Sequence, residues 1–248
     1  MRLKLLACEV LYREVCAAVA RSPHQVDIQF LSKGLHNQGG TAMRQRLQEV
    51  VDRVDADCCD AVLLGYGLCG NGVAGLSGRA LPLVVPRAHD CIALLMGGRE
   101  RYRCYFEENP GVYFRSTGWL ERGDELEQAA QQTVRDKTGV GYTLDELISK
   151  YGEENGRYLF EQFNGYRRSY GQLTFIATGL EPDRRFEEQA RAEAARRGWE
   201  FASIPGDLRL FEQLVSGGWP DSDFLVVPPG WRIQASYDGG VMDKEPEA

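Results

Sequence analysis

Short hydrophobic runs alternate with longer polar stretches from residue 2 to about residue 110. LKLLA, VDIQFL, AVLLGYGL and LPLVVP each read as a buried strand, because brief apolar runs rich in Val, Ile and Leu and bounded by polar turns fit strands better than helices. LKLLA leads into an amphipathic stretch through Arg21. VDIQFL leads into a Gly-rich loop and the helix TAMRQRLQEVVDRVD, with Thr41 as its expected N-cap, and AVLLGYGL leads into a second Gly-rich loop. After LPLVVP a helix is expected near Asp90, capped by that residue and carrying Cys91 in its first turn. This alternation predicts an α/β protein whose mainly parallel sheet has helices on both faces.

The second half repeats the plan. QLTFIATGLEPDRRFEEQARAEAARRGWEFASIPGDLRLFEQLVSGGWPDSDFLVVPPGW can be laid over the N-terminal pattern, with Thr178 opposite Cys8, Asp223 opposite Asp60, and Pro228 to Gly230 opposite Gly65 to Gly67. The expected fold is therefore two Rossmann-like lobes related by an internal repeat, spanning residues 1–110 and 172–239, with a helical insertion over 111–171 and a tail over 240–248. The insertion holds a short β-like VYFRS, a polar helix ELEQAAQQTVRDK and a helical tract from Leu144 to about Tyr170. That tract carries Tyr151, Tyr158, Phe160, Phe163, Tyr166 and Tyr170, which are expected to pack against the sheet, with a lid over a pocket as the alternative. The tail, ending DKEPEA, is expected to be disordered.

Composition narrows the classes. With 43% hydrophobic and 26% charged residues the chain is that of a folded domain, and a formal net charge of -7 argues against a nucleic-acid partner, which needs clustered Lys and Arg. Glu9, Arg13 and Glu14 interrupt the first apolar stretch, so no signal peptide is read there, and no run has the length of a membrane span. Seven cysteines, an odd number, fit reduced thiols, and the expected location is cytoplasmic.

Candidate chemistry gathers where the strands of the first lobe end. Cys8, His36, Cys69, His89 and Cys91 all follow a strand on its carboxyl side, where ligands bind in open α/β sheets. Glu9 follows Cys8 at an expected helix start, whose partial positive charge lowers a thiol's pKa. Cys69 lies in LLGYGLCGNGVAGLSG, where Gly67, Gly70 and Asn71 are candidate cofactor contacts. Gly65, Gly67 and Gly70 form only a weak dinucleotide pattern, because no helix follows immediately. In RAHDCI, His89 and Cys91 can deliver two ligands to one metal if the backbone is extended, while Asp90 either caps the helix or orients a histidine. Cys58 and Cys59 precede a strand and fall at the opposite end of the sheet. Cys16 and Cys104 look helical and are assigned to packing, and His24 is expected to be exposed.

There is no G-x-S-x-G elbow and no paired CxxC. What remains is a site assembled from separate strand ends, with Cys8, Cys69, Cys91 and His89 as metal ligands and His89 or His36 as a base. Three thiolates with imidazole suit zinc first and an iron or iron–sulfur centre second.

At these same segments the chain resembles the bacterial and archaeal family called domain of unknown function 1638. The resemblance rests on ACEVL with Cys8, GLHN with His36, LLGYGLCGNG with Cys69, RAHDCI with His89 and Cys91, STGW around Trp119, and KYGEENGRYL from Lys150. It covers roughly residues 2–230, and it departs from the family's pattern at Thr117, where a proline commonly precedes GW. The resemblance implies a link to corrinoid proteins and corrinoid-dependent methyltransferases of one-carbon metabolism. On that basis the expected function is a zinc-thiolate enzyme acting on a thiol or methyl group, with methyl transfer as the candidate reaction, a small thiol or methyl donor as substrate and a corrinoid protein as the candidate partner. The rival expectation is a non-catalytic metal- or cofactor-binding accessory protein.

Overall fold

The structure is a computed structural model that describes residues 1–122, 144–153, 155–157, 170–236 and 240–247. Strand β1 (Arg2–Cys8) runs through a 3-10 turn (Glu9–Leu11) into helix α1 (Tyr12–Val19). β2 (Gln25–Leu31) is followed by a 3-10 stretch (Lys33–Gln38) and α2 (Gly40–Val51). β3 (Ala61–Gly65) and β4 (Leu83–Pro86) precede the short α3 (Cys91–Leu95) and the longer α4 (Arg99–Glu108). Then come β5 (Val112–Ser116), α5 (Thr117–Glu121), α6 (Leu144–Tyr151), β6 (Gln172–Ala177), α7 (Arg185–Arg197), β7 (Glu200–Pro205) and α8 (Arg209–Ser216). β8 (Phe224–Val227), β9 (Trp231–Ala235) and β10 (Met242–Pro246) complete the described chain.

The first four strands are parallel in the order β2-β1-β3-β4. β3 and β4 are buried along their whole length, as the continuous apolar runs predict for strands covered on both faces. Edge strand β2 instead alternates partly buried with exposed residues, and Lys4 reaches across to Asp27 at 2.7 Å. Because β1 steps outward to β2 and the chain then crosses back to β3, the strand order reverses between β1 and β3. A crevice opens at such a reversal, beyond the carboxyl ends of the two strands.

β5, β6 and β7 form a second parallel sheet in that order. Phe186, Ala190 and Ala194 of α7 cover one face, packing on Leu173 and Phe175, and Tyr105 of α4 reaches Thr174 through a hydroxyl contact of 2.9 Å. Arg115 of β5 and Glu193 of α7 form a buried two-pronged ion pair, 3.0 Å at each prong. The carboxyl ends of this sheet lie against the first one. Gly118, just after β5, rests on the Val10 carbonyl, and Thr178, just after β6, donates to Glu14 at 3.1 Å. Asp207, past β7, donates its amide to Leu95 at 2.8 Å.

Several expectations are corrected. β8, assigned from the sequence to the second lobe, joins the first sheet as an antiparallel neighbour of β4. Residues 112–116, placed in the insertion, supply a strand of the second sheet. The tail expected to be disordered pairs as β10 against β9, with Met242 fully buried and Glu247 bonded to Ser77 at 2.9 Å. The N-cap of α2 is Gly39 rather than Thr41, since φ of +85° at position 39 takes a conformation glycine adopts freely. Cys104, assigned to packing, is exposed, and His24 is half-buried against the N-terminal amine and the Ser216 carbonyl. The polar helix ELEQAAQQTVRDK and most of the aromatic tract lie outside the described residues.

Candidate functional site

Register sets the site. Cys8 is the last residue of β1, level with Leu31 of β2, and Ala7 pairs with Gly65, so Tyr66 leaves β3 at the same height. The chain after β3 is tied to the chain after β4 by hydrogen bonds from Leu68 N–H to the Ala88 carbonyl and from Cys69 N–H to the His89 carbonyl, each 2.8 Å. Gly67 permits this approach, for a Cβ there would sit 2.7 Å from the Asp90 amide nitrogen. Its role is therefore close loop packing. Cys69, Gly70 and Asn71 follow with φ of 50°, 62° and 67°, three consecutive left-handed residues. At a non-glycine residue such a conformation costs about 1 kcal/mol or more and is found most often at functional sites.

Three thiols follow the carboxyl ends of β1, β3 and β4. Cys91 senses the charge of Cys69 and Cys8, and Cys69 senses that of Cys8, so the three side chains from the ends of β1, β3 and β4 share one electrostatic environment. Burial dominates all of them. It pushes the Cys8 thiol up to about 11 and the Cys69 and Cys91 thiols higher, with Asp90 adding to the rise at both of the latter. The expectation that a helix start would lower Cys8 is thus corrected. The Val10 amide does pull it down, but a three-residue 3-10 turn offers too little to offset desolvation.

Asp90 stands between these thiols and their surroundings. As the N-cap of α3 it accepts from the Ile92 and Ala93 amides at 3.0 Å each, as expected, and the Tyr102 hydroxyl bonds to it as well. Cys91 opens that helix, and the Trp119 indole N–H donates to its sulfur at 3.3 Å. His36 is partly buried on the 3-10 stretch after β2. Desolvation lowers its pKa, partly countered by Asp90, so the ring is neutral near pH 7. His89 is exposed, and its ring lies 6.5 Å from that of Tyr102, while the Cys91 side chain is buried. Gly70 and Asn71 face solvent.

Two participants, Lys33 and Tyr66, escaped the sequence reading. Lys33 is 3% exposed, its ammonium lies 5.1 Å from the centre of the Trp119 ring, and its charge draws the Cys8 thiol down. It follows β2 by two residues, so the strand-end rule that selected His36 would also have selected it. Tyr66 is 2% exposed and its hydroxyl has no hydrogen-bond partner among the described residues, while its pKa is raised by burial and by the charges of Cys8 and Cys69. Glu9 bonds the Lys33 amide at 2.9 Å. Cys58 and Cys59 lie before β3, at the other end of the sheet, as expected.

The donor chemistry of three soft sulfurs beside an orphaned buried hydroxyl fits a soft metal ion. As the side chains stand, however, no three or more His, Cys, Asp or Glu among the described residues are grouped so as to hold one. No described helix is long and apolar enough to cross a membrane. No curated protein and no solved structure matches the chain. The model of the family described as Protein of unknown function (DUF1638) matches residues 30–215, well over half of the sequence and including four of the five strand-end residues, and the chain belongs to that family.

Proposed function

We propose that the crevice between β1 and β3 binds one soft metal ion, zinc before iron or an iron–sulfur centre, through Cys8, Cys69 and Cys91, and that the protein uses it on a small thiol or a methyl-bearing substrate. The observation that carries the proposal is the placement of three thiols after the carboxyl ends of three neighbouring strands, β1, β3 and β4, the first two flanking the reversal of strand order. Binding requires the sulfurs to turn about χ1 towards one another. Lys33 supports an anionic thiolate centre, because a buried ammonium offsets the surplus negative charge of three thiolates around a dication. A bound zinc would supply Lewis acidity, lowering the pKa of a thiol that takes its open position.

The chain's own residues fill the remaining roles. Trp119 donates its indole N–H to the Cys91 sulfur, a bond that favours the thiolate form. His36, neutral and close enough to feel Asp90, takes up the proton a substrate thiol releases. His89, exposed beside Tyr102, is the second candidate base, with an approach from solvent rather than from the core. In this reading two α/β lobes, related by an internal repeat, enclose the crevice, and a corrinoid protein is a candidate methyl source. Burial of both Cys8 and Cys91 favours a second reading, a closed metal-binding accessory protein without turnover.

Metal analysis of anaerobically purified protein tests the proposal. The expected result is about one equivalent per chain, lost on Cys8→Ser, Cys69→Ser or Cys91→Ser because Ser is a poor substitute for a thiolate, and kept on Cys16→Ser and Cys104→Ser. Equal metal content in all five variants would reject it.

A further inference from the structure

Helix α7 opens with Glu187 and Glu188 in its first turn and closes with Arg196 and Arg197 in its last, the order a helix dipole favours. By that rule alone the two arginines would simply face solvent. The fold instead sets them beside Arg115 of β5, where all three guanidiniums line a cavity of about 270 Å³ together with Trp119, Gln189 and Glu193. That volume lies just under the roughly 300–1,000 Å³ usual for ligand pockets, so its occupant is small.

Among the lining residues one carboxylate serves three guanidiniums. Glu193 gives both oxygens to Arg115 at 3.0 Å, and Arg197 shares one of them at 2.7 Å. Burial pushes the Glu193 carboxyl up, but Arg115 and Arg197 outweigh it and hold it below the ordinary 4.5, so it counts as one full negative charge near neutral pH. Arg196 is exposed and has no ion pair among the described residues. The surplus of positive charge therefore sits on Arg196 and Arg197, in a chain whose formal net charge is -7, so it is not part of a generally basic surface. Arg197 is also held in place. Its guanidinium lies 4.8 Å from the centre of the Trp199 ring and 5.6 Å from that of Tyr113, and a guanidinium fixed against rings presents its N–H fork at little further cost in entropy. A cation would meet this surplus head-on, and a single carboxylate would answer one guanidinium of the two. A dianionic tetrahedral group answers both, with oxygens spaced to fit the forks.

We propose that this cavity binds the phosphate group of a small phosphate monoester, held by Arg196 and Arg197 with the Gln189 amide as a further donor. The proposal gives the small substrate of the thiol site an acid group, and it rests on that reading for this purpose, though not for the binding itself. Trp119 connects the two places, since it lines the cavity while its N–H donates to the Cys91 sulfur. A phosphate bound here lies against the same indole as the Cys91 thiol.

The test is calorimetry of the metal-free full chain at low salt and about pH 8, above the second phosphate pKa, with methyl phosphate, inorganic phosphate and acetate as probes. Methyl phosphate is expected to bind at least as tightly as inorganic phosphate and about tenfold or more tighter than acetate. Arg196→Gln and Arg197→Gln should each weaken methyl phosphate by about tenfold, the loss of a charge-assisted contact. Arg191→Gln is the control: it removes the same charge from the same helix, but Arg191 pairs with Glu187 outside the cavity, and its affinity should stay that of wild type. No phosphate binding by wild type, equal affinity for methyl phosphate and acetate, or Arg191→Gln weakening the ester as much as the two cavity variants would overturn the proposal. Inorganic phosphate binding tighter than the ester would overturn the monoester assignment, and so would tighter binding of a phosphoserine peptide than of methyl phosphate. Cys91→Ser should lose metal and keep methyl phosphate, while Arg196→Gln should do the reverse, so the metal centre and this site can fail separately.

Discussion

Gly118→Ala is the sharpest probe of how the two sheets are locked together over the site. A Cβ at Gly118 would overlap the Val10 carbonyl oxygen and lie 2.7 Å from its carbon, whereas ordinary contact begins at 3.4 Å, so two backbone segments must part by well over the distance that relieving the carbon alone would need. Neither is a flexible side chain that can swing aside. Overpacking of this kind costs about 1–3 kcal/mol, and a backbone-on-backbone clash belongs at the upper end. Alanine returns up to about 1 kcal/mol through its better helix propensity. The net loss is about 2 kcal/mol, which lowers Tm by about 4–8 °C in a chain of this size. Because Trp119 follows directly, its contact with Cys91 should loosen too, and its fluorescence should shift toward that of a wetter indole. Thermal unfolding by circular dichroism, with tryptophan emission recorded in parallel, measures both. Gly171→Ala is the control, since a Cβ there meets nothing within 4 Å, and its Tm should not fall. A Gly118→Ala protein as stable as wild type, with unchanged emission, would refute the docking of α5 on the turn after β1.

Two further outcomes are expected. Glu14 is 1% exposed, with one oxygen unpartnered and its pKa raised above the ordinary 4.5, chiefly by burial. The folded protein therefore holds this proton more tightly than the unfolded chain does, so stability falls as pH rises from about 4.5 through the folded pKa, and Glu14→Gln should remove that fall. Urea unfolding at acid and neutral pH checks this, and a wild-type-to-variant difference that is the same at both would contradict it. Thiol labelling of the metal-free protein, mapped by mass spectrometry, should modify exposed Cys58 and Cys104 at once and buried Cys8 and Cys91 only on unfolding. Labelling of Cys91 as fast as Cys104 would place its sulfur in solvent.

The strands and helices of the first sheet were legible because their signals are local. A run such as AVLLG, apolar at every position, has few alternatives to a central strand. Partner choice is not local. FLVV reads the same whether it extends a second parallel sheet or closes the first one antiparallel, and only the packing of Pro86 to Leu83 against it decides. MDKEP reads as a solvated tail because three of its five residues are exposed and a fourth is half-buried, and its one buried anchor, Met242, gives no periodicity. At the site, the thiols were legible from position alone, while Lys33 and Tyr66 were not. A lysine in a loop reads as surface and a tyrosine after a strand reads as core, and only the fold shows the first buried over an indole and the second with a hydroxyl lacking a partner. The direction of the Cys8 pKa differs from the sequence expectation for the same reason, since desolvation depends on what covers a group and not on its neighbours in sequence.

The claim that three strand-end thiols make one metal site is tested most directly by anaerobic cobalt titration, following sulfur-to-cobalt charge-transfer absorption. The account predicts saturation at about one cobalt per chain, with the band diminished in each of Cys8→Ser, Cys69→Ser and Cys91→Ser and unchanged in Cys16→Ser. A cobalt spectrum without thiolate character, or one that survives all three site substitutions, would contradict it.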